Sequence, residues 1–325
     1  MPRAVIADEF GPPESYQLRE YDPGPPGKGQ VRVAIKFAGI SYVDVLTAMG
    51  KYQFKPPLPF IPGSEASGIV EAIGPGVTNL AVGDKVMCGG MGGQFAEVNN
   101  YRAQVVTKVP EGMSLETAAV FSVNYGTAHH ALVDRAHAKA GESLLVLGAA
   151  GGTGFAAVQV GKHLGLHVIA SASSPEKRAA ALAGGADAVV ETGAEDWREQ
   201  VKAANNGKPI DIVFDPVGGD ATELAFRTLG YDGRHLVVGF VAGLTKLPTN
   251  LPLLKCASLV GVQMLGQSTN RPAEAEANRR RTLEIGATGA FVPAIAARYP
   301  IEDYAAAMHV AFDGKAAGRI VLTME

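Results

Sequence analysis

Cysteine is almost missing. The 325-residue chain has two, Cys88 and Cys256, far apart and outside any paired motif. A disulfide framework and a zinc lobe built on four cysteines are therefore excluded, and each thiol reads as structural. No uncharged apolar run approaches the roughly 18 residues of a membrane span, so no membrane partner is expected. The opening stretch MPRAVIADEFG carries charges and lacks the apolar segment of roughly 7–15 residues that a secretory signal needs. The cytoplasm is the expected location. Positive charge is not in excess either: the net charge is -3, which argues against a nucleic-acid partner. The basic run NRRRTLE (278–284) is flanked by Glu274, Glu276 and Glu284 and reads as a solvated helix face.

What remains is an apolar fraction of 47% with 40 glycines, material for about two domains. Residues 1–121 read as short strands and turns. QVRVAIKFAGIS (30–41) and ASGIVEAIG (66–74) alternate apolar and polar residues between Gly and Pro. A further strand starts at Lys85, after the Gly83-Asp84 turn. KPPLPFIPG (55–63) holds four prolines, so it must be a loop. GPGV (74–77) links strands and opens no helix, which makes it a poor phosphate site. From 122 to 265 strands alternate with helices. Strands are expected at 143–147, 167–171, 188–190, 211–215, 234–239 and 258–262, and helices at 153–164, 175–184, 195–204 and 220–229. That alternation specifies an α/β fold, a doubly wound parallel sheet covered by helices. Residues 266–325 close on the strand GRIVLTM and are expected to return to the first domain.

The segment VLGAAGGTGFAAVQVGKHLG (146–165) carries glycines at 148, 151, 152 and 154. A strand, a glycine bend and then a helix is the arrangement that brings backbone close to a pyrophosphate, with first-turn amides aimed at the anion. An NAD site commonly has an acid about 20 residues further on. Here ASSPEKR (172–178) follows the strand, with Ser171, Ser173 and Ser174 where a carboxylate would stand. Lys177 and Arg178 lie one helical turn on. Hydroxyls and a cation suit the 2′-phosphate of NADPH, although Ser174-Pro175 also reads as a helix cap. Glu176 is expected to point away.

The order of GKYQFKPPLPFIPGSEASGIVEAIG, NYGTAHHAL, VLGAAGGTGFAAVQ, DIVFDPVGGD and GRHLVVGF resembles the quinone oxidoreductase branch of the medium-chain dehydrogenase/reductases, the zinc-independent group that includes zeta-crystallin. The resemblance implies a GroES-like β-rich catalytic domain interrupted by a Rossmann domain, NADPH as hydride donor, and a homodimer. It places Tyr52 beside the nicotinamide and Thr127 near its amide. Gly151, Gly152 and Thr153 fall at the pyrophosphate, Thr153 standing where the family has Val. Ser173, Ser174 and Lys177 fall at the 2′-phosphate. Gly239, Phe240 and Val241 would lie under the nicotinamide ribose, and Val262, Gln263 and Met264 near its carboxamide. Two positions depart from the family: Ser41 replaces an Asn, which weakens a contact to ribose or substrate, and Thr192 replaces a Tyr that stacks on adenine.

Zinc-dependent relatives carry Cys where Ser41 stands and His where Ser64 stands. Serine does not replace those donors, so no metal is expected. His129 and His130 are adjacent on a helix taken to open at Thr127; adjacent helical positions do not face one another, so they read as structural. Asp215-Pro216 reads as a turn at a strand end. Catalysis then rests on positioning a conjugated acceptor, a quinone or an enone, over the nicotinamide. Tyr52 is the candidate proton donor, with Tyr42 and Ser41 behind it. The alternatives are an enoyl-thioester or alkenal reductase and a non-catalytic NADPH-binding protein. The apolar strand SLVGV (258–262) is the expected dimer edge.

Overall fold

The computed structural model describes residues 1–324. The chain divides into two compact units, one formed by residues from Met1 to Ser122 and from Val292 onward, the other by Val123–Phe291.

The first unit begins with a two-stranded antiparallel ribbon, β1 (Arg3–Ile6) and β2 (Gln17–Glu20). Strand β3 (Gln30–Ile40) follows, then helix α1 (Tyr42–Ala48), β4 (Glu65–Ile73), β5 (Lys85–Gly89), β6 (Val98–Arg102), β7 (Val106–Lys108) and the short helix α2 (Leu115–Ala118). The alternation in β3 turns Val31, Val33 and Ile35 inward, each at most 2% exposed. Burying such a side chain contributes roughly 1.5–3 kcal/mol. Between α1 and β4, residues 55–63 form neither helix nor strand, as their prolines require. Phe60 still makes a single backbone bridge to Ala7.

The second unit takes in α3 (Ser122–His129) from its second residue onward, and that helix runs into a wide π-helical turn, His130–Arg135. The helix therefore opens at Ser122, not at Thr127. Then come β8 (Ser143–Val146), α4 (Gly152–His163), β9 (His167–Ala172), α5 (Pro175–Ala183), β10 (Ala188–Glu191), α6 (Trp197–Ala204), β11 (Ile210–Asp215), α7 (Asp220–Thr228), β12 (Leu229–Val237), α8 (Asn250–Lys255), β13 (Ser258–Gly261), α9 (Met264–Asn270) and α10 (Pro272–Ala287). The six strands pair in parallel in the order β10-β9-β8-β11-β12-β13. All four residues of β8 are buried, the pattern of a strand covered on both faces.

Residues 266–291 were expected on the first unit and belong to the second. Helix α10 is tied there by one buried amide. Asn278 Oδ1 lies 2.6 Å from His129 Nδ1, and Asn278 Nδ2 donates to the Gly126 carbonyl at 2.9 Å. Phe291 stacks on Tyr125, with ring centroids 5.1 Å apart. The chain then re-enters the first unit through β14 (Ile295–Pro300), α11 (Tyr304–Asp313) and β15 (Arg319–Thr323). There β15 pairs antiparallel with β3. The seven-stranded GroES-like sheet thus draws on both stretches of the chain, in the order β14-β15-β3-β4-β5-β7 with β6 also on β3.

Candidate functional site

In the second unit the strand order reverses between β8 and β11. Doubly wound sheets bind nucleotides beyond the carboxyl ends of their strands at such a reversal. The sequence-chosen residues collect along that edge: Gly151–Thr153 after β8, Ser173–Lys177 after β9, Thr192 after β10, Gly239–Val241 after β12 and Val262–Met264 after β13.

The bend after β8 is set by backbone. Helix α4 has Gly151 as its N-cap and no side-chain cap bond, which leaves the amides of its first turn open to an anion. A Cβ on Gly154 would stand 2.2 Å from the Gly148 carbonyl oxygen, so only glycine lets the helix pack this closely. The Thr153 hydroxyl donates to the side-chain carbonyl of Asn124 at 3.1 Å. Asn124 is buried at 2% exposure; it is a partner that nothing local in the sequence indicates.

The segment after β9 is set by side chains, and several are already committed. Ser171 is buried at 1% exposure. Its hydroxyl shares a 2.8 Å bond with Thr192 and accepts the Trp197 indole N–H at 3.0 Å. Its hydroxyl is therefore committed within the protein, and the Thr192 hydroxyl is bonded to it at the end of β10. Ser174 caps α5, accepting the Lys177 amide at 3.3 Å. Glu176 was expected to point away. Instead, backbone hydrogen bonding within its own residue and a bond with the Ser174 side chain hold its carboxyl below the usual range. A first-turn carboxylate at a helix N-terminus gains from the dipole, which favours this position. Ser173 is exposed and Lys177 half-buried at the same rim. Arg178 pairs with Glu191 at 3.7 Å.

Past β12, Phe240 and Val241 are nearly half exposed. Past β13, the Gln263 side chain caps α9 by accepting the Gly266 amide, and Val262 is buried. Thr127 sits inside α3, its hydroxyl donating to the Val123 carbonyl at 2.6 Å. Its neighbour Gly126 faces the Met264 methyl, 3.4 Å from where a Cβ would stand, so Thr127 and Met264 belong to one corner of this unit. His129 and His130 are both buried and look to different partners, Asn278 and Asp134. Burial holds His129 below the usual imidazole range.

Ser41 and Tyr52 lie in the first unit. Ser41 is the N-cap of α1 in a reciprocal capping box with Asp44: its amide and hydroxyl both donate to Asp44 Oδ2 at 2.7 Å, and it accepts the Asp44 amide at 3.2 Å. The spacing S-Y-V-D carries that signal in the sequence. Burial raises the Asp44 carboxyl above its usual range despite the Ser41 bonds and the charge of Arg319. Ser64 stands beside Asp44 but outside hydrogen-bond geometry, and its hydroxyl and that of Thr47 are buried without partners. A hollow of about 10 Å³ lies among Asp44, Thr47, Gly63 and Ser64. One carboxyl and two hydroxyls are not the thiolate and imidazole set of a catalytic zinc, so zinc does not fit here. Among the described residues no three His, Cys, Asp or Glu gather as a metal site. Tyr52 is half-buried, and burial raises its phenol above the usual range. Tyr42 stacks on Phe312, with centroids 5.1 Å apart. Burial also pushes the Cys88 thiol up, which leaves it unreactive.

A GroES-like sheet with a six-stranded dinucleotide fold between its two stretches of chain defines a nucleotide-dependent oxidoreductase architecture. The family model described as alcohol dehydrogenase GroES-like domain matches residues 27–111, and that described as zinc-binding dehydrogenase matches 152–279. Quinone oxidoreductase-like protein 2 homolog of Nematostella vectensis is 32% identical over 98% of this chain and 88% of its own length. Quinone oxidoreductase of Homo sapiens is 31% identical over 99% of this chain and 98% of its own. Among solved structures, mycobacterial Rv1454c complexed with NADPH is 27% identical, covers 99% of this chain and 100% of its own, and superposes with a TM-score of 0.90. The chain belongs to the quinone oxidoreductase branch of the medium-chain dehydrogenase/reductases.

Proposed function

We propose that this protein is an NADPH-dependent reductase that delivers hydride to a quinone or another conjugated carbonyl without a metal ion. The observation that carries this reading is the edge of the parallel sheet. Open first-turn amides at α4 stand beside a rim of Ser173, Ser174 and Lys177, with no carboxylate at 170–174. The NADPH complex of a 27%-identical neighbour over the full chain supports it. The backbone of Gly151, Gly152 and Thr153 cradles the diphosphate, and Ser173, Ser174 and Lys177 bind the 2′-phosphate. Gly239, Phe240 and Val241 shape the nicotinamide ribose end; Thr127, Val262, Gln263 and Met264 shape the carboxamide end. Bound NADPH supplies the hydride, and the chain contributes alignment, which lowers a barrier by several kcal/mol. Tyr52 donates to the oxygen that gains charge; burial raises its phenol above the usual range.

The absence of zinc chemistry rests on Ser41 and Ser64 at the ligand positions. We place the protein in the cytoplasm as a homodimer joined through β13. Among the described residues that strand pairs only with β12, and Leu259 on it is exposed; a monomer by light scattering at working concentration would remove the dimer. Among the described residues no helix is long and apolar enough to cross a membrane. The deciding experiment is steady-state consumption of NADPH and NADH with quinones, enones and enoyl thioesters. Turnover is expected with NADPH and quinones or enones. Preference for thioesters would reassign the acceptor, and binding without turnover on any acceptor would contradict a reductase. Tyr52→Phe is expected to lower kcat about tenfold; unchanged kcat removes Tyr52 as proton donor.

A further inference from the structure

Asp215 ends β11 at the cofactor edge of the sheet, and its carboxylate is fully occupied. Oδ1 accepts the amides of Val217 at 2.9 Å and Gly218 at 2.8 Å. Oδ2 accepts the Thr222 hydroxyl at 2.6 Å and His235 Nε2 at 3.0 Å. Asp215 is 2% exposed and His235 is fully buried. His235 Nδ1 has no hydrogen-bond partner, and the imidazole stacks on Phe226. A buried ring nitrogen left idle marks the other nitrogen's bond as the reason for a histidine here. Burial alone would raise the Asp215 carboxyl. The donors, His235 foremost, outweigh it and hold the group below the usual carboxylate range, so all four bonds reach an ionised acceptor.

These bonds fix the turn 216–219, and the turn fixes its neighbour. The Val238 amide donates to the Asp215 carbonyl at 2.9 Å, Ala242 to Val217 at 2.8 Å, and Gly219 to Gly243 at 2.8 Å. A Cβ on Gly218 would stand 2.6 Å from the Gly243 carbonyl oxygen, which shows how closely the two backbones run. The segment Gly239–Val241 is thus held in place from Asp215 rather than by contacts of its own exposed side chains.

We propose that Asp215, braced by His235 and Thr222, is a positioning residue for the nicotinamide half of NADPH, acting through the 216–219 turn on Gly239–Val241. This rests on the NADPH reading above. The adenosine half is held by other strands, β8 to β10, so the two halves of the cofactor should respond differently to a change at Asp215.

The test is calorimetric titration of wild type, Asp215→Asn and Thr222→Val with NADPH and, separately, with adenosine 2′,5′-bisphosphate. Asparagine keeps one carbonyl oxygen for the two amides and loses acceptance from Thr222 and His235. NADPH affinity is expected to fall about tenfold in Asp215→Asn and about threefold in Thr222→Val, with bisphosphate affinity within about twofold of wild type. Equal loss for both ligands, or no loss for either, overturns the inference. Should Asp215→Asn not fold, Thr222→Val decides by the same criterion. A wild-type protein that binds neither ligand overturns the cofactor reading itself and this inference with it, an outcome distinct from equal loss in the variants.

Discussion

The two ends of the proposed dinucleotide groove are built from different materials. The pyrophosphate end is backbone: amides at the head of α4 and a Gly154 that admits no Cβ. The adenosine end is side chain, and its side chains already have other tasks. Ser171 is tied to Thr192 and Trp197, Ser174 caps α5, and Glu176 leans on Ser174. Binding at the first end depends on shape, which a methyl group destroys. At the second it depends on competition among hydrogen bonds, which can be tuned. NADPH over NADH should therefore be a graded preference in this protein, while dinucleotide binding as such should be all or none.

The largest effect that would break this contrast lies at the backbone end. Gly154→Ala places a methyl 2.2 Å from a carbonyl oxygen; such overpacking costs roughly 1–3 kcal/mol. The melting temperature should fall, and both NADPH and NADH should lose about 100-fold or more in calorimetric affinity. Next comes Lys177→Ala. Loss of a charge-assisted bond to phosphate, about 1.5–3 kcal/mol, should weaken NADPH by about tenfold or more and leave NADH unchanged. Equal weakening of both would place Lys177 away from the 2′-phosphate.

Ser174→Asp separates capping from ligand binding. Aspartate caps a helix as well as serine, so thermal stability should hold within about 0.5 kcal/mol while NADPH binding drops and NADH binding does not. The smallest effect is expected from Glu176→Gln, a rise of about threefold in NADPH preference as a negative charge leaves the rim. Because its folded pKa is depressed, Glu176 stays charged at neutral pH and loses that charge only as pH falls through its folded value, below the unfolded reference of about 4.3. The wild type and the Gln variant should therefore differ at pH 7 and converge in acid, in NADPH affinities measured across that range.

The same division decides what the sequence discloses. Strands β8, β9 and β11 are short buried runs rich in Val, Ile and Leu, and their expected positions agree with the observed ones to within a residue or so at each end. The glycine bend was legible because glycine is demanded there by sterics. The burial of Ser171 was not, because it depends on Trp197 arriving from another helix. The attachment of α10 to the second unit was hidden for a similar reason: it rests on Asn278 meeting His129 and Gly126, far away in the chain. The start of α3 was obscured because SVNYGTAHH carries a glycine and β-branched residues of weak helix propensity. The role of Asp44 stood in plain view in its capping box with Ser41, a pattern that marks a helix start rather than a ligand.

One titration bears on all of this most directly: the purified protein against NADPH and NADH in a calorimeter, side by side. Saturable binding of both, tighter for NADPH, is the predicted result. Heats indistinguishable from dilution for both nucleotides would contradict the account at its root.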